Sequence, residues 1–582
     1  MKKITELLSE ICEKAFIEAG CDAGFGRINV SNRPDLCEFQ ANGAMAAAKK
    51  MGKKPIDIAG MVAAIMAKDP AIETAEACMP GFVNIKVSAE MLASYLDEMK
   101  DDPDLGIIQE KKRRVIVDYG GANVAKPLHI GHLRSAVIGE AVKRICAASG
   151  HEAIGDVHLG DWGLQMGLII EELKDRNQTD FTLSDLEEIY PAASAKSKAT
   201  DEAGNLTPEA AAFKERALES TKKLQAGDPE CTRIWEHIME LSKADLRKNY
   251  DNLDVHFELW KGESDVQKYI PEMLADLEKR GIAREDQGAL VVDIARPDDK
   301  KEIPPCIVRK SDGASLYATT DLATLIEREQ LYQPDDYIYV ADKRQDLHYL
   351  SFFRVARKAG IVREDEGLTF LGFGTMNGKD GKPFKTRSGG VMRLEELIKD
   401  IEEAVYQKIR ATRDESEIGE EEARKIARVV GLAALKYGDL SNQAVKDYVF
   451  DIDRFTSFEG NTGPYILYTI VRIGSILRTY GKPSGASVEK AIAESPDAKA
   501  LALSLSRFNE VVSSAWTEVA PHKICQFIYE VSNGFNTFYH NVMILKCEDE
   551  ELKASYIALL ELTKAVLEKS IHMLGFTAPE KM

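Results

Sequence analysis

The middle of this chain is expected to fold as α/β, a doubly wound parallel sheet, preceded by a smaller α+β domain and followed by an α-helical bundle. Three observations predict this. Short β-branched and apolar runs recur at 113–119, 288–295, 337–340 and 368–373, and several are followed, after a loop, by helical periodicity. That is the pattern of βαβ units, which hold ligands at the carboxyl ends of their strands. Before about residue 110, helical stretches alternate with short β-type runs; after about residue 396, long amphipathic helices dominate. A chain of 582 residues also exceeds what one hydrophobic core serves. We therefore expect domains at 1–110, 111–395 and 396–582.

The elements follow in order. Ile4 to Ala19 and Pro55 to Ala67 carry helical periodicity, and Gly81 to Val87 reads as a strand bounded by turn residues. The polar, proline-punctuated segment 97–106 marks a boundary. Arg113 to Tyr119 is a strand, followed by a glycine-rich loop and by a helix patterned on Leu133, Ala136, Val137, Ala141 and Ile145. Residues 171 to about 255 are charged and helical, with an N-cap signal at Thr207-Pro208-Glu209, and read as a helical insertion. No repeat or low-complexity tract interrupts the chain.

Bulk composition bounds the function classes. Hydrophobic residues at 44% and charged residues at 29% place the chain among water-soluble globular proteins. Its net charge of -19 neither supports nor excludes an RNA substrate, because binding follows the local field of one face. The nine cysteines are scattered without a C-x-x-C pair, so no structural metal site is expected and a reducing compartment fits. The opening MKKITELLSE contains Glu6 and Glu10 and lacks an apolar run, unlike a signal or transit peptide. No stretch approaches the ~20 apolar residues of a membrane span. The expectation is a cytoplasmic protein with no membrane partner.

The strongest chemical feature is Lys126-Pro127-Leu128-His129-Ile130-Gly131-His132, at a strand-to-helix junction. Two histidines three apart at a helix start project to one side, about one turn apart. Gly131 permits close approach of a nucleotide, and the helix N-terminus favours an anion. Such an arrangement suits stabilisation of a phosphate during displacement. Taken alone, H-x-G-H matches by chance too often to decide anything; its strand-loop-helix setting gives it weight.

Residues 120–135, reading GGANVAKPLHIGHLRS, resemble the HIGH region of class I aminoacyl-tRNA synthetases of the arginyl type. His158-Leu159-Gly160-Asp161-Trp162-Gly163-Leu164-Gln165 resembles the H-x-G-D-W-G-x-Q that follows in arginyl enzymes. The resemblance continues through Tyr317 to Asp321, Gln345 to His348 and Glu459 to Tyr465, and ends at Ala578 to Met582. It implies a class I Rossmann-like catalytic domain that uses ATP, with Mg²⁺ carried on the triphosphate, to join L-arginine to tRNA(Arg). It implies that His129, Gly131 and His132 bind the nucleotide. It also implies that Asp321 receives the guanidinium, a planar cation suited to a carboxylate, with Tyr317 one turn away, Glu263 and Gln345 lining the pocket, and Asn123 at the substrate's main-chain end. Lys126 can reach the nucleotide from the H-x-G-H side.

The second nucleotide element, the KMSKS loop, corresponds to residues 376–390 and departs from consensus. Met376 opens it, and Lys385 and Arg387 are its candidate catalytic cations. Two registers stay open, one beginning at Pro383 and one at Lys382. Further departures are Gly120-Gly121-Ala122 before the asparagine and Leu467 where glutamine is common. By resemblance the N-terminal domain reads the tRNA elbow and the C-terminal bundle the anticodon arm. Tyr448, Tyr465, Tyr468, Arg472 and Arg478 mix aromatic and basic groups, although the helical spacing of Tyr465, Tyr468 and Arg472 points to a core stripe. A monomer is expected. Two rivals stand beside this reading: another class I enzyme or small-molecule nucleotidyltransferase sharing H-x-G-H, and a catalytically silent RNA-binding relative. Asp161-Trp162-Gly163 and the long bundle oppose the first, intact His129 and His132 the second.

Overall fold

A computed structural model describes every residue except Pro127, Asp312, Ala314 and 383–391. The chain divides into two compact units, one of residues 111–418 and 438–455, the other of residues 1–110, 419–437 and 456–582.

The first unit is built on a four-stranded parallel sheet, in the order Gly367–Phe373, Asp336–Asp342, Arg114–Asp118, Glu152–Asp156. Val115, Ile116 and Val117 are fully buried, as expected of a strand covered on both faces, and their β branching suits the pleat. The chain leaves Arg114–Asp118 for a neighbour on one side and returns on the other at Asp336–Asp342. The carboxyl ends of these two strands thus form a topological switch point, where open α/β sheets bind ligands. Ser135 stitches the point together: its hydroxyl accepts from the Gly120 amide at 2.8 Å and donates to the Val340 carbonyl at 2.7 Å.

Two expectations need correction. The 288–295 run does form a strand, Ala289–Val292, but in a separate antiparallel sheet between Arg284–Asp286 and Cys306–Arg309. Gln287 and Gly288 both have positive φ, 49° and 80°, which makes a two-residue hairpin, whereas a parallel strand needs a crossover of a dozen residues. Conversely, Glu152–Asp156 is a sheet strand that its short, acid-ended sequence does not announce.

Inserted after that strand, the helices Leu164–Asp175, Leu183–Lys196, Pro208–Gln225 and Pro229–Asn252 pack around Leu168, Ala193, Phe213 and Ala217. The Thr207 hydroxyl accepts from the Ala210 amide at 3.2 Å, the N-cap expected there. Gly167 lets two of these helices touch, since a Cβ would lie 2.0 Å from the Ala217 carbonyl oxygen.

In the second unit an antiparallel sheet, ordered Ile28–Val30, Phe39–Ala41, Phe82–Val87, Ile72–Cys78, packs with the helices Ile4–Glu18 and Pro55–Met66. Leu8, Phe16, Ile58, Val62, Val83 and Ile85 are buried there. The bundle's helices include Gly463–Tyr480, His522–Asn541 and Glu550–Met573, whose buried faces include Ile466, Ile473, Ile528, Phe535, Leu559 and Val566. Sheet and bundle meet through polar ties: Lys499 Nζ contacts Glu38 at 2.8 Å and donates to the Val87 carbonyl at 3.0 Å, and Asn509 donates to the Tyr95 hydroxyl at 3.0 Å.

Candidate active site

The loop after Arg114–Asp118 is held open by backbone contacts. Val124 donates to the Gly160 carbonyl at 3.3 Å, Gly160 donates to the Ala122 carbonyl at 3.2 Å, and Ala125, at φ 60°, donates to the Ser242 hydroxyl at 2.9 Å. Gln165 donates to the Val124 carbonyl at 2.6 Å. Gly160 is required by Asn123, whose Oδ1 would lie 2.2 Å from an added Cβ. The side chain of Asn123 is exposed at the mouth of the loop.

His129 caps the Ile130–Ala148 helix, its Nδ1 accepting from the Gly131 amide at 3.0 Å. His132 Nδ1 accepts from the His129 amide at 3.1 Å, and the two rings lie 4.0 Å apart. Acceptance at Nδ1 places each proton on Nε2. Burial, then the Lys126 charge, lowers His129; burial, then His129, pushes His132 down to about 3. Both rings are therefore neutral Nε2–H donors at a helix N-terminus, well matched to phosphate oxygens. Gly131 serves this pair directly, because a Cβ there would lie 2.7 Å from the His129 ring. Lys126 Nζ sits 4.2 Å over the Tyr190 ring.

A second cluster is acidic. Asp161 accepts from the Ser264 amide at 3.0 Å and hydroxyl at 2.6 Å, and its carbonyl accepts from the Trp235 indole at 2.9 Å. This fixes Glu263, the first residue of a short helix, in a partly buried position. Burial pushes the Glu263 carboxyl up to about 7; His158 opposes the shift, and the carboxylates of Asp161 and Asp321 add to it. Asp321 lies on the Tyr317–Leu331 helix one turn after Tyr317, and its Oδ2 is 2.6 Å from His348 Nε2. Partial burial, then Glu263 and Asp321, raises the Tyr317 phenol. Glu263, Tyr317 and Asp321 thus act on one another electrostatically, and the two carboxyls offer acidic charge for a cation beside the exposed Tyr317 ring.

The Tyr317–Leu331 helix is anchored by Arg328, which is 1% exposed. Its guanidinium donates to Asp118, to Asp156 at 2.6 Å, and to the Tyr339 hydroxyl at 3.1 Å, reaching three of the four parallel strands. Burial alone would lower the guanidinium; Asp118, Tyr339 and Asp156 outweigh it and hold Arg328 charged.

Comparison with known proteins decides the family. The family description "tRNA synthetases class I (R), catalytic domain" matches residues 97–452, "Arginyl tRNA synthetase N terminal domain" matches 2–87, and "DALR anticodon binding domain" matches 466–582. A protein of Agathobacter rectalis named arginine–tRNA ligase is 55% identical over 607 residues, covering 100% of both chains. The chain belongs to the arginyl-tRNA synthetase family. A further relative of that name, from Alkaliphilus oremlandii, is 50% identical over 100% of both chains. In fold, the chain resembles the arginyl-tRNA synthetases of Plasmodium falciparum (TM-score 0.81, 24% identity) and Thermus thermophilus (TM-score 0.78, 21% identity), each over 100% of both chains.

Not every expected residue of this synthetase lies in the two clusters. Gln345 is exposed at the start of the Asp346–Ala359 helix. Met376 is 4% exposed and its sulfur accepts from the Tyr448 hydroxyl at 3.0 Å. Lys385 and Arg387 lie outside the described residues. The far end of their segment returns to the H-x-G-H side, Ile130 donating to the Met392 carbonyl at 3.2 Å and Leu394 to the Leu128 carbonyl at 3.0 Å. Sequence reasoning placed Asp161 and His348 in family-like motifs without giving them partners, and it assigned no role to Ser264, Tyr190 or Arg328.

The expected core stripe of the bundle is corrected in part. Tyr468 is 39% exposed, and with Tyr465, Arg472, Asn536, Tyr539 and Met543 it lines an open groove of about 910 Å³. Arg472 stacks 4.5 Å over the Tyr468 ring and donates to its hydroxyl at 2.9 Å. The i, i+4 spacing serves a surface pair here, because Ile466, Leu467, Ile470 and Ile473 already fill the buried face. Tyr448, in contrast, is buried against Asp439 at 2.9 Å and is closed to RNA stacking.

Proposed function

We propose that this chain is an arginine–tRNA ligase that activates L-arginine with ATP as arginyl-adenylate and transfers it to the 3′ end of tRNA(Arg). The single observation that carries the reading is the pairing of two neutral Nε2–H donors at a helix N-terminus with the Glu263–Tyr317–Asp321 cluster, in a unit whose sheet has its switch point at that helix. The acidic cluster accepts the guanidinium, with Asp321 as its principal partner. Asn123 orients the main-chain end and Gln345 the pocket rim. The arginine carboxylate attacks the α-phosphate and pyrophosphate leaves. His129 and His132 donate to the phosphoryl oxygens as charge builds on them, while Lys126, Lys385 and Arg387 supply positive charge. The described groups beside the phosphates are donors rather than oxygen ligands, which fits Mg²⁺ arriving on the triphosphate. The terminal hydroxyl of the tRNA then takes the aminoacyl group from the adenylate.

The Tyr465–Tyr468–Arg472 groove, aromatic and basic, fits unpaired bases of the anticodon arm, and residues 1–110 fit the tRNA elbow. We take the protein to act as a cytoplasmic monomer; among the described residues no helix is long and apolar enough to cross a membrane. The test is ATP–pyrophosphate exchange with each of the twenty amino acids, with and without total tRNA. Exchange is expected with arginine when tRNA is present; exchange driven best by another amino acid overturns the assignment.

A further inference from the structure

Asp321 has one carboxylate oxygen already engaged. His348 Nε2 stands 2.6 Å from Oδ2, and a carboxylate only accepts, so the imidazole donates. His348 is set for this by its own surroundings. It lies in the first turn of the Asp346–Ala359 helix, its ring 5.4 Å from the rings of both Tyr349 and Phe352. Phe352 is fully buried, so the face on which His348 rests is rigid. Asp321 also feels the Glu263 carboxylate electrostatically, and the two like charges repel. Without a donor on Oδ2 the Asp321 side chain is free to rotate away from its neighbour and towards water.

Resting on the reading of Asp321 as the guanidinium partner, we infer that His348 is a positioning residue that clamps Oδ2 of Asp321, aims Oδ1 into the pocket, and so sets the preference for arginine over its uncharged isostere citrulline. The discrimination follows from the geometry. A guanidinium presents N–H donors to a carboxylate in a fixed plane, whereas the citrulline urea places a carbonyl oxygen among them. A carboxylate held in one rotamer rejects that oxygen by repulsion; one free to turn away accommodates it. His348 touches no substrate in this account and acts only through Asp321.

The experiment is steady-state aminoacylation by the full chain with His348→Leu, His348→Gln and Asp321→Asn, using arginine and citrulline. His348→Leu is expected to raise arginine KM about tenfold, with kcat within about threefold and ATP KM unchanged, and to lower the arginine-to-citrulline ratio of kcat/KM about tenfold. His348→Gln keeps an N–H near the Nε2 position and is expected to return both values to within about threefold of wild type. Equal losses for arginine and citrulline, a kcat defect without a KM change, or failure of Gln to rescue relative to Leu would each overturn the proposal. Asp321→Asn separates the two levels: if it leaves arginine kinetics unchanged, the assignment of Asp321 fails and the His348 proposal falls with it, whereas a large Asp321→Asn defect beside an unaffected His348→Leu removes the clamp alone.

Discussion

At the level of single residues, the acidic pocket has a pH signature. Burial pushes the Glu263 carboxyl up to about 7, so it is largely protonated below that value and charged above it. A guanidinium favours the charged form, so arginine binding expels the proton and tightens as pH rises through the window. Arginine KM is expected to climb as pH falls from about 8 to about 6, with a limiting slope of about tenfold per unit. The other groups on the pocket are His158, Asp161, Asp321 and Tyr317, and Glu263→Gln isolates the one responsible by flattening the profile. A flat profile in the unmodified protein would remove Glu263 from the arginine site. Asp321→Asn should weaken arginine by about 1.5 to 3 kcal/mol, roughly 10- to 150-fold in KM, with ATP binding little changed. Arginine kinetics within twofold of wild type would refute that role. The pairing of Tyr317 with Asp321 was legible in sequence, because residues four apart in a helix share a face. Glu263 was placed at the pocket, and Gln345 to His348 in a motif, only by resemblance, because the approach of Glu263 and the bond from His348 to Asp321 depend on how distant elements pack.

Among elements, the Tyr317–Leu331 helix has to hold its first two turns still, and it does so from its last turn. Arg328→Met would leave Asp118 and Asp156 buried without their cation, a loss of about 3 to 5 kcal/mol. Urea denaturation should show an unfolding free energy lower by that amount, and a change below about 1 kcal/mol would mean that the carboxylates find other partners. The same network explains a gap in the sequence reading. Glu152–Asp156 ends in an acid that no propensity rule would bury, and Arg328 from a distant helix is what makes that burial tolerable. The wholly apolar run at 115–117 needed no such partner and was readable at once, and the run at 337–340 was readable too, although its Tyr339 hydroxyl accepts from Arg328.

Considered as a whole molecule, the N-terminal sheet and the helical bundle form one unit although the chain between them is long. Lys499 bonded to Glu38, Asn509 to Tyr95, and Lys569 to Asp104 at 2.9 Å tie the two ends of the sequence together. A chain starting at residue 111 should therefore keep its parallel sheet while the helices Pro496–Leu505 and Glu550–Met573 lose protection. Amide hydrogen exchange reads this directly: protection falling in both helices is expected, and unchanged protection would show that the bundle folds without its sheet. The three-part organisation was visible in composition and periodicity. That its two outer parts close on each other was not, because ion pairs between remote surfaces leave no local pattern.

Gly131, Gly160 and Gly262 share a property with a bearing on how this protein tolerates change. An added methyl would lie 2.7 Å from the His129 ring, 2.2 Å from Asn123 Oδ1 and 2.7 Å from Asp161 Oδ1 respectively. Each obstructs a side-chain group rather than backbone, at a cost of about 1 to 3 kcal/mol to folding, and the displaced groups are His129 and Asn123, proposed to contact the substrates, and Asp161, which holds Ser264 beside Glu263. In a library of random single variants these positions should therefore sort apart from the core: alanine there yields soluble protein of near-native melting temperature and little charging activity, whereas core losses remove both together. Soluble, fully active alanine variants at all three would show that the pocket absorbs such displacement.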